Sequence, residues 1–206
     1  MSTPDRRRAA RLSPDERSAT LRATAREVAL EGGLPAVTLR GVASRAGVAP
    51  ALVAHYEPSM DALVARTFSV ITLDEIDEVF ALVATEPSPT GRLRALIATL
   101  LDDGRDDVTA VWADAWSMGR RNAALAEAVR EVMDRWQAAV VDVVRDGCDA
   151  GEFTAEDAEL VAWQFLGMID GVNSHALVHY GGARDRGRLV YRAMENELGL
   201  PTGALG

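Results

Sequence analysis

His175 and His179 stand four residues apart, with Asp170 shortly before them. On one helix face, that spacing offers two imidazoles to a metal such as zinc. No HExxH frame and no obvious third ligand accompany them, so core or interface histidines are the competing reading and no metal is assigned. Ser174 lacks nucleophile-elbow glycines. The stretch HYGGARDRG (179–187) is glycine-rich without the preceding strand that a phosphate loop needs. Cys148 is the one cysteine, which excludes an internal disulfide and a cysteine-rich metal site. These residues argue for no catalytic chemistry and no cofactor.

Binding chemistry is better represented. Aromatic residues make up 5% of the chain, yet four of them are Trp: Trp112, Trp116, Trp136 and Trp163. Indole faces attract cations through the ring quadrupole. Met133 and Met168 can line the same cavity, and Asn173 adds a polar group. The ligand-contacting candidates are therefore Trp112, Trp116, Met133, Trp136, Trp163, Met168 and Asn173. For each Trp and Met the competing reading is plain core packing.

A third set has the spacing of a DNA reader. Ala43, Gly47 and Val53 supply a small residue for close helix approach, a residue tolerant of positive φ, and an apolar anchor. Their spacings of four and six match a helix-turn-helix; a helical hairpin without DNA is the alternative. Arg40 and Arg45 flank this element, and His55 and Tyr56 can bond phosphate oxygens. Arg6, Arg7, Arg8 and Arg11 form a basic arm able to enter a minor groove, or an ordinary basic tail. The charge distribution agrees. Net charge is −9, yet residues 1–56 hold nine Arg against five acids. A basic head on an acidic body leaves the head to approach a polyanion; chance clustering is the rival account.

The elements that position these residues are helical throughout, since apolar residues recur at three and four and alternating strand runs are missing. Ser13 and Glu16 have capping-box spacing with Pro14 at the first helical position. EGGLP (31–35) ends that helix. Thr38 caps a helix over 39–46 that Gly47 stops, a third covers 50–56, and Ser59 caps a long fourth. Further helices fall at about 90–103, 107–119, 123–150, 155–180 and 186–198. The segment 158–180 is apolar on several faces, so it must be covered on several sides, one of them by a second copy of the chain. No apolar run approaches the roughly 18 residues of a membrane span, and no signal peptide is visible, so a cytoplasmic protein without a membrane partner is expected.

The stretch TLRGVASRAGVAPALVAHYEPSMDAL (38–63) resembles the DNA-binding region of the TetR family of bacterial transcription regulators. PALVAHY together with WADAWSMGRRNAAL (112–125) looks most like the BetI-type subgroup. The resemblance implies an all-α fold of about nine helices, with a three-helix head and a body for ligand binding and dimerisation. The boundaries would be a basic arm at 1–12, a head at 13–58 and a body at 59–206. It implies a homodimer through the last two helices and a double-stranded DNA operator. Operator contacts would fall on Thr38, Leu39, Arg40, Ala49, Pro50, Leu52, His55 and Tyr56. A small-molecule effector is implied, with cations among the candidates because the subgroup includes choline sensors. Repression relieved by that effector is the expected activity. The alternatives are an activator of the same fold, or a helical binding protein or enzyme whose head is only structural.

The chain departs from the family pattern at four places. Ala49 replaces the usual Ser or Thr cap of the recognition helix, a loss of about 1 kcal/mol that Pro50 partly offsets. Ala51 stands where Gly is common. Met60 replaces a Lys that would meet phosphate. Glu57 replaces an aromatic residue and is expected to repel phosphate.

Overall fold

A computed structural model describes residues 13–206; the arm with Arg6, Arg7, Arg8 and Arg11 lies outside the described residues. Among the described residues nine α-helices form and no strand. They are α1 (Pro14–Gly32), α2 (Leu39–Ala46), α3 (Pro50–Tyr56), α4 (Met60–Val83), α5 (Pro89–Leu100), α6 (Asp106–Gly119), α7 (Ala123–Asp149), α8 (Ala158–Leu177) and α9 (Ala183–Glu197). Two short 3₁₀ turns, Leu34–Ala36 and Asp103–Arg105, precede α2 and α6.

Local chemistry explains the boundaries. Both halves of the capping box form at α1: Glu16 N–H donates to Ser13 Oγ at 3.2 Å, and Ser13 N–H donates to the Glu16 carboxylate at 2.7 Å. Thr38 and Ser59 accept from the amides of Gly41 and Ala62, satisfying donors that a helix start otherwise leaves orphaned. Gly47 ends α2 at φ 65° and ψ 34°, a left-handed conformation that a side chain makes costly. The reversal lets Val48 N–H return to the Ala43 carbonyl at 3.0 Å.

Helices α1–α3 close around Leu21, Ala25, Leu34, Val42, Ala43 and Val53, all of them buried. Burying each larger aliphatic side chain is worth roughly 1.5–3 kcal/mol, so this small core can hold three short helices. Helix α1 also packs on α4, which then runs along α7; α6 and α8 pack on α7 in turn. Leu125, Val129, Val132, Trp136, Val140 and Val143 form the buried stripe of α7.

The C-terminal helices differ from expectation in extent. Helix α8 starts after Asp157, whose side chain caps Leu160 N–H, while Thr154 N–H is taken by the Leu198 carbonyl. It stops at Leu177, because Tyr180 N–H folds back onto the His175 carbonyl and His179 adopts φ 55°. His175 and His179 therefore do not share a helix face, and the metal-like spacing is not realised. His175 instead meets the Tyr180 ring edge-on, with centroids 5.3 Å apart.

Candidate nucleic-acid interface and ligand cavity

The turn between α2 and α3 places Thr38, Arg40, Ala49, Pro50 and His55 on the exposed surface, with Leu39, Leu52 and Tyr56 half-buried beside them. His55 and Tyr56 rings sit edge-on with centroids 5.0 Å apart. Val53, on the opposite face of α3, is buried against α1 and α2. Helix α3 thus presents one face outward while its anchor holds it. Ala49 caps α3 without a side-chain hydrogen bond, as its methyl group requires. Arg45 pairs with Glu31, which holds it against the end of α1.

Glu57 behaves differently from what its position suggested. Its side chain is only 1% exposed. One carboxylate oxygen accepts from Arg22 Nε at 2.8 Å and from Ser18 Oγ at 3.3 Å, and the other accepts from Arg66. The charge faces α1 and α4, inward and neutralised by two guanidinium groups. It is a clamp between the end of α3, the middle of α1 and the start of α4, and it presents no bare negative charge at the surface.

A cavity of about 60 Å³ lies among α4, α6, α7 and α8, enough for a few water-sized groups. Trp112 and Trp136 supply aromatic walls, Met133, Leu166 and Ile169 supply apolar ones, and Asn173 stands at one end. The tryptophans are held by other rings. Phe68 meets Trp112 edge-on at 5.0 Å between centroids, and Phe80 lies 5.6 Å from Trp136. Asn173 Nδ2 donates to the Leu100 carbonyl at 2.9 Å.

Three charged groups line the same cavity: Glu75, Arg105 and Asp170. Glu75 is bound twice, by Trp112 Nε1 at 3.0 Å and by Arg105 Nη2 at 3.3 Å. Burial pushes its carboxyl above the usual range, against the pull of those two donors. No hydrogen bond or ion pair from the described residues reaches Asp170. Burial first, and the Glu75 charge second, push it up to about 7. Arg105 Nε is buried and has no acceptor among the described residues.

Of the sequence candidates, Trp112, Met133, Trp136 and Asn173 are brought together here. Trp116 stacks obliquely against Trp112, 5.8 Å between centroids, behind the wall. Met168 packs against the core without lining the cavity. Trp163 is 69% exposed and lines a surface groove that shares Met133, Leu166 and Asp170 with the cavity. The cavity residues missed were Glu75 and Arg105, while Asp170 was weighed only beside the two histidines. A signal existed for Glu75: it falls in the buried register of α4, between Ile71 and Val79.

Two contacts tie the cavity to the head. Helix α4 carries Glu75 in the cavity and Arg66 on the Glu57 clamp. Helix α6 carries Trp112 in the cavity and Asp114, whose carboxylate accepts Leu34 N–H at 3.0 Å. Gly33 makes that contact possible: it sits at φ 76°, and a β-carbon there would lie 2.4 Å from the Asp114 oxygen.

Comparison with known proteins agrees with this architecture. Residues 21–67 match the family described as bacterial regulatory proteins, tetR family, and residues 89–197 match the BetI-type transcriptional repressor C-terminal family. The HTH-type transcriptional regulator BetI of Burkholderia ambifaria is 34% identical over 98 residues, 46% of this chain. That match spans half of the relative's length. BetI of Rhizobium meliloti is 28% identical over 163 residues, covering 78% of this chain and 77% of the relative. A transcriptional regulator from Saccharomonospora viridis, solved in complex with choline, superposes with a TM-score of 0.79 at 21% identity, over 89% of this chain and 98% of its own. With a matched N-terminal region and a matched C-terminal region covering more than half of the molecule, the chain belongs to the TetR family of bacterial regulatory proteins, with a BetI-type C-terminal region.

Proposed function

We propose that this regulator is a dimeric cytoplasmic repressor whose grip on a DNA operator is loosened by a small molecule bound in the α4–α6–α7–α8 cavity. The observation that carries this reading is the sharing of helices: α4 and α6 each line the cavity and each hold the head, through Arg66 and Asp114. Two recognition helices must meet successive major grooves about 34 Å apart. A ligand preferring a body shape that alters this separation shifts the population off DNA.

Dimerisation is supported by the outward face of α8. Leu160 and Trp163 are 56% and 69% exposed there, Val178 just past its end is 73% exposed, and Leu189 on α9 is also exposed. Gly167 and Gly171 lie on the same face with open space where a β-carbon would be, so a second copy can approach closely. On DNA, Arg40, His55, Tyr56 and the Thr38 region would make phosphate and base contacts, with Leu39, Ala49, Pro50 and Leu52 shaping the surface.

The test is a fluorescence anisotropy titration with DNA flanking the gene, run with and without choline as effector probe. Sequence-specific binding that weakens with choline is expected. Arg40→Ala should weaken binding to all sequences and reduce the salt slope by about 0.9 for one lost phosphate contact. Dimers that bind no flanking DNA specifically at low salt would sink the operator reading.

A further inference from the structure

One arginine pair stands apart from the acidic body that carries it. Between Asp114 and Glu127 the chain holds no acidic residue, and Arg120 and Arg121 occupy the turn from α6 to α7. Both are exposed, and neither takes part in an ion pair among the described residues. The turn itself is fixed. Arg121 N–H and Asn122 N–H both return to the Met118 carbonyl, at 2.9 and 3.0 Å. The buried Asn122 side chain accepts Leu125 N–H at 3.0 Å, which caps α7. Its Nδ2 donates to the main-chain carbonyl of Asp61 at 3.2 Å, in the first turn of α4. A turn of the body is thereby pinned to the helix that follows α3.

That pin sets Arg121 beside the head. An open groove of about 410 Å³ lies between them, bordered by Thr38, Met60, Asp61, Met118, Arg121 and Asn122. Thr38 caps the start of α2 on the face proposed to meet the operator, and Met60 begins α4. Neither brings a charge. Asp61 is exposed in the first turn of α4, where the amides of the helix start offset a carboxylate. Arg121 is the one cation among the groove's lining residues, and Arg120 does not border it. We propose that Arg121 donates to an operator phosphate across the Thr38–Met60 edge, so that the body touches DNA as well as the head. This rests on the reading that the chain binds an operator. A guanidinium suits the role: its charge is permanent and its planar fork of donors matches phosphate oxygens. A phosphate contact carries no sequence information, so Arg121 adds affinity for operator and unrelated duplex alike.

The salt dependence of DNA binding by the intact dimer tests this, read by fluorescence anisotropy on the flanking DNA and on an unrelated duplex of equal length. Arg121→Gln should lower the slope of log K against log salt by about 0.9 per subunit, so about 1.8 for a dimer on DNA. The drop should be the same on both duplexes. Arg121→Lys should keep the slope. Met60→Lys added to Arg121→Gln should restore it, because a cation returns to the same groove; a double variant that stays low overturns the groove as the place of the phosphate. Arg135→Gln removes an exposed charge on α7 that does not border the groove, and should leave the slope unchanged. An equal drop in Arg135→Gln would reveal a general charge effect and overturn the assignment. So would an unchanged slope in Arg121→Gln while Arg40→Ala still lowers it, a result that leaves the operator reading intact. A wild-type dimer without specific binding to the flanking DNA overturns the operator reading, and this inference with it.

Discussion

Two carboxylates in this molecule sit in opposite surroundings, Glu57 buried and Asp170 half-buried. Glu57 in the head meets two guanidinium groups and a serine hydroxyl. Asp170 in the body meets no partner among the described residues, and burial together with Glu75 pushes it up to about 7. Glu57's charge is matched, so α1, α3 and α4 are tied together at one point. The body's charges are incomplete around Asp170, which costs stability where that carboxylate is ionised. A buried charge with partners makes structure; a half-buried one without them weakens the packing around it.

The sharpest way to break this contrast is to strip the partners from Glu57. The double variant Arg22→Ala/Arg66→Ala leaves a buried carboxylate with no cation and only the Ser18 hydroxyl as partner, a change that typically costs about 3–5 kcal/mol. Urea unfolding should show that loss at pH 8; a loss below about 1 kcal/mol would mean that the clamp contributes little.

The body should respond with the opposite sign. The folded state raises the pKa of Asp170, so between the ordinary carboxylate range and pH 7 it holds a proton that the unfolded chain has released. Stability from this group is therefore lost as pH rises through that window. Asp170→Asn should stabilise the ligand-free protein on the order of 2–4 kcal/mol at pH 8 and hardly at all near pH 4. Thermal unfolding at the two pH values checks it, and equal effects at both would refute the linkage.

A smaller effect separates helix chemistry from charge chemistry. Ala49→Ser gives α3 the side-chain cap it lacks and should add about 0.5–1 kcal/mol, independent of pH. Thr38→Ala removes the cap of α2, seen as the 3.0 Å bond from Gly41 N–H, and should cost about 1 kcal/mol. Chemical denaturation of each single variant measures both.

Helix positions up to α4 were legible because their signals are local. Ser13 with Glu16, Thr38, Gly47 and Ser59 each act within four residues of themselves. The ends of α8 were less so: Thr154 is claimed by the distant Leu198 carbonyl, and His179 by a backbone reversal. The cavity was half legible. Large aromatic residues advertise themselves, so Trp112 and Trp136 were found, but nothing local distinguishes them from Trp163, which is exposed, or Trp116, which stands behind the wall.

The amino-acid sequence by itself determined the all-helical architecture, the turn geometry around Gly47 and the family. Caps, periodicity and a positive-φ glycine are short-range physics written in consecutive residues. Only the tertiary structure decided where the charges go. Glu57 turned inward because Arg22 and Arg66, 35 residues before it and 9 after it, converge on it. Asp170 stayed unpaired because the guanidinium lining its cavity is already bound to Glu75. Electrostatic partnership depends on distances between residues far apart in the chain, and those distances exist only once the helices have packed.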